Sequence, residues 1–204
     1  MGIMARRAKN LQLILASASP RRRQLLAEAG YQFEVVAPEI PEPDESLKKL
    51  PAGQQAEALA YFKARAIADV HRDACVLAAD TLVSVAGSIL GKPASRGEAE
   101  QMLRTISGTR HEVITGVALV WPGGRLIASD STHVTMRTIR DTEIEQYLDL
   151  GEWRGKAGAY AIQETADRFV QAVHGSFSNV VGLPMELLER MLERLGLAAS
   201  LKGK

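Results

Sequence analysis

The segment from Val76 to Val85 admits few structural fates. Val76 to Ala79 is uninterrupted apolar chain, the strand-like pattern continues through Asp80 to Val85, and Gly87 supplies a turn. A strand apolar on both faces has to be covered on both faces, which puts it near the centre of a sheet packed between helices. Helical spacings flank it. Leu25, Leu26 and Ala29 recur before a stop at Gly30, and Leu59, Phe62, Ala66 and Val70 predict an amphipathic helix over Gln54–His71 with that stripe buried. Ser95-Arg96-Gly97-Glu98 has the form of a capping box, followed by a stripe of Ala99, Met102, Leu103 and Ile106.

The remaining pattern extends this layered reading. Leu11 to Ala16 is a short strand ended by Ser17-Ala18-Ser19-Pro20, Phe33 to Ala37 a second strand, and the proline-rich Pro38–Pro51 a loop. His111–Trp121 and Arg125–Met136, joined by Pro122-Gly123-Gly124, form a long hairpin. Asp141 caps a helix carrying Ile144, Tyr147 and Leu148. The glycine-rich stretch Gly151–Gly158 leads to a strand near Phe169–Val173, and a last helix starts about Pro184. Helices alternating with strands and hairpins define an α/β class with a mixed sheet. A chain of 204 residues fits one domain, over 11–198, with tails at 1–10 and 199–204.

Composition narrows the partners. The chain has 25 Lys plus Arg against 24 Asp plus Glu, and 5% aromatic residues, which argues against a duplex-binding protein or a stacking platform for single strands. The balance is uneven: the first 27 residues hold six basic and no acidic residues, the remainder 19 basic and 24 acidic. No apolar run approaches the ~18 residues that span a bilayer. The single Cys75 cannot form an internal disulfide, which is compatible with a reducing cytoplasm.

Several stretches carry chemical possibilities. Ser19 is a good N-cap and Pro20 a good first helical residue. A helix starting there aims free N–H groups and its positive dipole end at one spot, and Arg21 and Arg22 add forked donors suited to phosphate. The same arginines also fit a solvated helix face. Asp80, just past the apolar run Val76–Ala79, sits where open α/β sheets gather ligands and could act as a divalent-cation ligand or a base; an acid ending a strand is also a common turn former. Lys63 and Lys92 could each lend charge to a polyphosphate, or simply be solvated. The segment Gly155–Gln163 lets backbone approach a flat ligand and ends on an amide able to read a base edge. The four histidines show no metal spacing, and neither a Walker-type loop nor a dinucleotide fingerprint is present.

Together these stretches resemble the Maf family of nucleoside triphosphate pyrophosphatases. The match runs in order: Leu15-Ala16-Ser17-Ala18-Ser19-Pro20-Arg21-Arg22, Lys63-Ala64, Ala79-Asp80-Thr81, Gly91-Lys92-Pro93, Ser107-Gly108-Thr109, Lys156-Ala157-Gly158-Ala159-Tyr160-Ala161-Ile162-Gln163 and Asn179-Val180-Val181-Gly182-Leu183-Pro184. The resemblance implies an elongated α/β fold related to the inosine triphosphate pyrophosphatases, with a cleft between two lobes and often a homodimer. It implies hydrolysis of a nucleoside triphosphate to monophosphate and pyrophosphate with Mg²⁺ or Mn²⁺, in the branch that prefers dTTP and UTP. It implies proton acceptance or metal binding at Asp80, further catalytic charge at Lys63 and Lys92, and phosphate contacts at Ser17, Ser19, Arg21 and Arg22. Substrate preference falls on Arg21, Thr81 and Gln163, and a metal or catalytic role on Glu42. The chain departs from the family pattern at Glu164, where glycine commonly follows the glutamine. The rival reading from another class is a nucleotide-sensing regulator of septum formation that does not turn its ligand over.

Overall fold

The computed structural model describes residues 11–39 and 45–202, apart from the side chains of Glu45 and Ser46. The expected N-terminal tail and Glu42 lie outside the described residues. In chain order the elements are β1 (Gln12–Leu15), α1 (Pro20–Glu28), β2 (Glu34–Val35), α2 (Ala52–Ala68), β3 (Ala74–Val85), β4 (Ser88–Leu90), α3 (Arg96–Ile106), β5 (Arg110–Trp121), β6 (Gly124–Met136), α4 (Asp141–Leu150), β7 (Val170–His174), α5 (Phe177–Val181), α6 (Met185–Arg194) and α7 (Ala198–Leu201). Short 3₁₀ turns cover Glu45–Lys49, Ala157–Ala159 and Thr165–Phe169.

The strands form one mixed sheet in the order β2-β1-β3-β5-β6-β7, with β4 paired to β3. β1 runs parallel to β3, while β3, β5 and β6 are joined antiparallel. The apolar run at Val76 thus lies in an interior strand, as its two-faced pattern predicts. β3 runs on through Asp80 to Val85, as the strand-like pattern predicts, so Asp80 lies in mid-strand opposite Gly116 of β5 and not at a strand end.

The pairing of β3 is uneven, and this creates the site. One edge is covered by β5 from Val76 to Ser84. On the other edge β1 pairs Ala74–Leu77 and β4 pairs Val83–Val85, so Ala78–Leu82 face a notch between the end of β1 and the tip of β4. The chain leaving β1 enters α1 at this notch.

The core is divided around it. On one sheet face Leu13, Leu15, Cys75, Leu77 and Leu119 pack with Leu26 of α1 and Leu188, Met191 and Leu192 of α6. On the other face Ile14, Val76, Ala78 and Ala118 meet Ala60, Ala64 and Ile67 of α2. Beyond the notch a separate cluster joins Val83, Val113 and Val134 to α3 and α4 through Leu103, Ile106, Ile144 and Tyr147.

Three expectations change in structure. The buried stripe of α2 is Ala56, Ala60, Ala64 and Ile67, whereas Phe62 and Val70 remain 48% and 74% exposed. The reason is close approach: a Cβ on Gly116 would lie 2.2 Å from the backbone carbon of Ala56, so only small side chains fit between helix and sheet. Asp141 is the first helical residue of α4 and Arg140 the cap position, its N–H donating to the Glu143 carboxylate at 3.1 Å. Where a tail is expected from 199, Ala198–Leu201 is helical and Leu201 is buried in the core. α5 carries no sequence-level prediction; its five residues are too short for a periodic signal.

Candidate active site

The notch opens into a cleft lined by the start of α1, the middle of β3, Lys92 beyond β4, the stretch Gly155–Gln163 and the end of α5. The start of α1 is fixed locally. Ser19 caps the helix, its hydroxyl accepting from Arg22 N–H at 3.5 Å, and Pro20 occupies the first helical position. Ser17 faces inward: it is buried, and its hydroxyl accepts from Ser19 N–H at 3.2 Å and from Arg22 Nη1 at 3.4 Å. It shapes the turn and is not part of the cleft lining.

Arg22 spans three elements. Its Nε donates to the Gly182 carbonyl at 2.7 Å and its Nη2 to Thr81 Oγ1 at 3.0 Å. A polar chain continues behind it. Thr81 Oγ1 shares a 3.0 Å hydrogen bond with Thr115 Oγ1, and Thr115 donates to the Asn179 carbonyl at 3.1 Å. Since Thr115 uses its one proton on Asn179, Thr81 is the donor to Thr115, and its oxygen accepts from Arg22. The fully buried Asn179 then donates through Nδ2 to the Val113 carbonyl at 2.9 Å and to Thr132 Oγ1 at 3.0 Å. Sequence reading assigns no role to Thr115, Thr132 or Asn179. The Asn179 motif is the one available signal, because a threonine inside an apolar strand carries none.

Asp80 is ion-paired with Lys63, which reaches it from α2. Both side chains are largely shielded from water. Lys63 therefore faces the carboxylate and is not itself among the residues lining the cleft. Arg21, Arg22 and Lys92 line it together with Asp80, the one acid among its described residues. This crowding of cations is unfavourable without an anion. The Lys92 ammonium is pushed below the ordinary lysine range first by partial desolvation, then by Lys63, with Asp80 pulling the other way and Arg22 and Arg21 adding to the push. Burial likewise lowers the Arg22 pKa, which Asp80 opposes and Arg21 reinforces.

Thr81 and Gln163 both reach the lining, Gln163 from the exposed end of the glycine-rich stretch. Tyr160 forms part of the wall, and its hydroxyl is hydrogen-bonded to the buried His111 Nε2 at 2.8 Å. Gly158 has φ +66°, and a Cβ there would meet Val83 at 3.1 Å, so glycine is required for this stretch to lie against β3.

No group of three or more His, Cys, Asp or Glu able to hold a metal exists among the described residues. The donor set fits one mode of cation binding: one carboxylate, Asp80, completed by substrate phosphate oxygens, as Mg²⁺ commonly accepts. It does not fit an all-protein cage.

Fold and site define an α/β protein with a cleft lined by three cationic side chains and one carboxylate. The chain belongs to the Maf family, whose profile, described as Maf-like protein, matches residues 12–195. It is similar to a dTTP/UTP pyrophosphatase of Geobacillus sp., with 44% identity over 186 residues covering 91% of this chain and 98% of that protein. It is also similar to a dTTP/UTP pyrophosphatase of Koribacter versatilis, with 42% identity over 193 residues covering 95% and 99%. A solved dITP/XTP pyrophosphatase of Mycobacterium abscessus overlays 63% of this chain and 76% of that one at 19% identity and a TM-score of 0.41, too slight a likeness to carry weight.

Proposed function

We propose that this protein hydrolyses nucleoside triphosphates, dTTP and UTP foremost and with them CTP or modified pyrimidine nucleotides, to the monophosphate and pyrophosphate. The observation that carries the reading is the unbalanced charge of the cleft, where Arg21, Arg22 and Lys92 converge on a lining with one acid. A triphosphate supplies the missing negative charge. The names of the relatives support the choice of pyrimidine nucleotides.

In this mechanism Arg21 and the N-terminus of α1 hold the phosphates, with Arg22 kept in place by Thr81 and Gly182. A water oxygen attacks the α-phosphorus, the bond from that phosphorus to the bridging oxygen breaks, and pyrophosphate leaves. Asp80 accepts the water proton. Lys63, ion-paired with Asp80, orients its carboxylate, and Lys92 neutralises charge on the departing phosphates. A divalent cation held by Asp80 and the phosphates, with Glu42 as a further candidate ligand, would supply charge neutralisation. Gln163 and Thr81 fit the role of reading the base. A homodimer and a cytoplasmic setting accompany this family reading; among the described residues no helix is long and apolar enough to cross a membrane.

The test is a pyrophosphate-release assay over canonical and modified nucleotides with Mg²⁺ or Mn²⁺. Asp80→Asn is expected to lose at least a hundred-fold in turnover, on the order of a general base's contribution, while keeping its circular dichroism. Wild-type turnover in that variant would remove Asp80 from the mechanism. Nucleotide binding without pyrophosphate release from any substrate would favour the nucleotide-sensing regulator instead.

A further inference from the structure

We propose that Glu164 is a built-in competitor for the phosphate grip: its carboxylate engages Arg21 in the free protein, and an incoming triphosphate has to displace that contact. The inference rests on the reading of Arg21 as a phosphate-binding residue. Glu164 follows Gln163 directly and sits at the rim of the cleft. Its two oxygens serve two cations. Oε2 is paired with Lys156 Nζ, and Oε1 lies 3.8 Å from Arg21 Nη1.

The two contacts differ in kind. Lys156 is 9% exposed, so its ion pair with Glu164 anchors the carboxylate. The Arg21 contact is longer than a hydrogen bond and lies in a more open position, with the Glu164 side chain 36% exposed. Arg21 is also unsatisfied, since its Nε is buried without a hydrogen-bond partner. A phosphate group offering several oxygens to the guanidinium fork is a stronger partner than one carboxylate oxygen at this distance. Arg21 therefore leaves Glu164 for the nucleotide, while Lys156 keeps the carboxylate where it is. Binding loses the Arg21–Glu164 attraction and gains a negative charge beside the phosphates, and both effects weaken it.

A purely structural role makes the opposite prediction. If Glu164 only staples Lys156 and so braces the wall of the cleft, removing its charge loosens the wall and raises KM. Glu164 acts through Arg21 and is thus a positioning residue whose signature lies in KM.

The experiment measures kcat and KM for dTTP in the wild type, E164Q, R21Q and the double variant. Glutamine keeps an oxygen for Lys156. E164Q is expected to lower KM about two- to five-fold, the scale of an exposed ion pair, with kcat within about two-fold of the wild type. R21Q is expected to raise KM, and most of the E164Q gain is expected to vanish in the double variant. An unchanged or raised KM in E164Q, or an equal gain with and without Arg21, overturns the proposal while leaving Arg21 as a phosphate contact. An unaltered KM in R21Q overturns that underlying assignment and this inference together. Should E164Q fold poorly, E164D retains the charge for Lys156 but retreats from Arg21, and a KM below the wild type is again expected; an unchanged KM there overturns the proposal.

Discussion

Arg22 ties α1, β3 and the end of α5 to one guanidinium, so its worth lies in geometry as much as in charge. Burial lowers its pKa, with Asp80 opposing and Arg21 reinforcing the shift, and a guanidinium keeps its charge in such a setting. With hydrogen bonds to Gly182, Ser17 and Thr81 it still has donors left for a phosphate, because a guanidinium carries five. Arg22 and Asp80 were legible in the sequence as residue types in suggestive places. Their partners were not, because Lys63 and Gly182 lie far from them along the chain. His111 offers a residue-scale test. Burial pushes its pKa from 6.5 down to about 4. Between those values the unfolded chain binds a proton that the folded protein refuses, so stability falls as pH drops through 6.5 towards 4 and the loss levels off below. The contribution is at most about 1.4 kcal/mol per pH unit. His111→Gln is expected to flatten the pH dependence of urea-unfolding stability between pH 7 and 5; an unchanged slope would remove His111 as its source.

At the scale of elements, α2 explains both a success and a failure of pattern reading. Its existence follows from its length and helix-forming residues, and it spans Ala52–Ala68 against an expected Gln54–His71. Its buried face, however, is turned by roughly 100°, about one residue, from the face its large apolar side chains suggest. Periodicity weights size and hydrophobicity, whereas the seat on β5 selects for smallness, and Gly116 enforces that choice. The turn also brings Lys63 over Asp80. Gly116→Ala is therefore expected to destabilise the fold by about 3 kcal/mol, the upper range for overpacking, and to lower turnover by displacing Lys63. Chemical denaturation and the pyrophosphate assay would check it; a neutral substitution would mean that the helix is not seated on this contact. The long hairpin β5–β6 was fully legible, because Pro122-Gly123 interrupts two strand-like runs unmistakably.

Across the whole molecule, Leu25 of α1 packs against the apolar clusters on either side of the notch, and the hydrogen bonds of Arg22 to Thr81 and Gly182 tie the same region together through polar contacts. A ligand that touches both α1 and the Gly155–Gln163 stretch adds polar contacts between parts that Leu25 already joins by apolar packing. A non-hydrolysable dTTP analogue at about a hundred times its Kd is expected to add roughly 2.7 kcal/mol, raising Tm by about 5–10 °C in differential scanning fluorimetry. Absence of a shift would take the nucleotide out of this cleft.

What the sequence determined by itself was local or periodic: the α/β class from a two-faced apolar strand among helical stripes, the capped start of α1, the hairpin, and the residue types able to grip phosphate. These depend on interactions within a few residues, which order along the chain preserves. Tertiary structure alone decided the rest. It set Asp80 beside a notch left by β1 and β4, turned α2 so that Lys63 meets that carboxylate, hid Thr115 and Asn179 behind Arg22, and drew Glu164 between Arg21 and Lys156. Each of these depends on sheet register and on how closely a helix can approach a strand, and both are fixed by packing between segments distant in the chain.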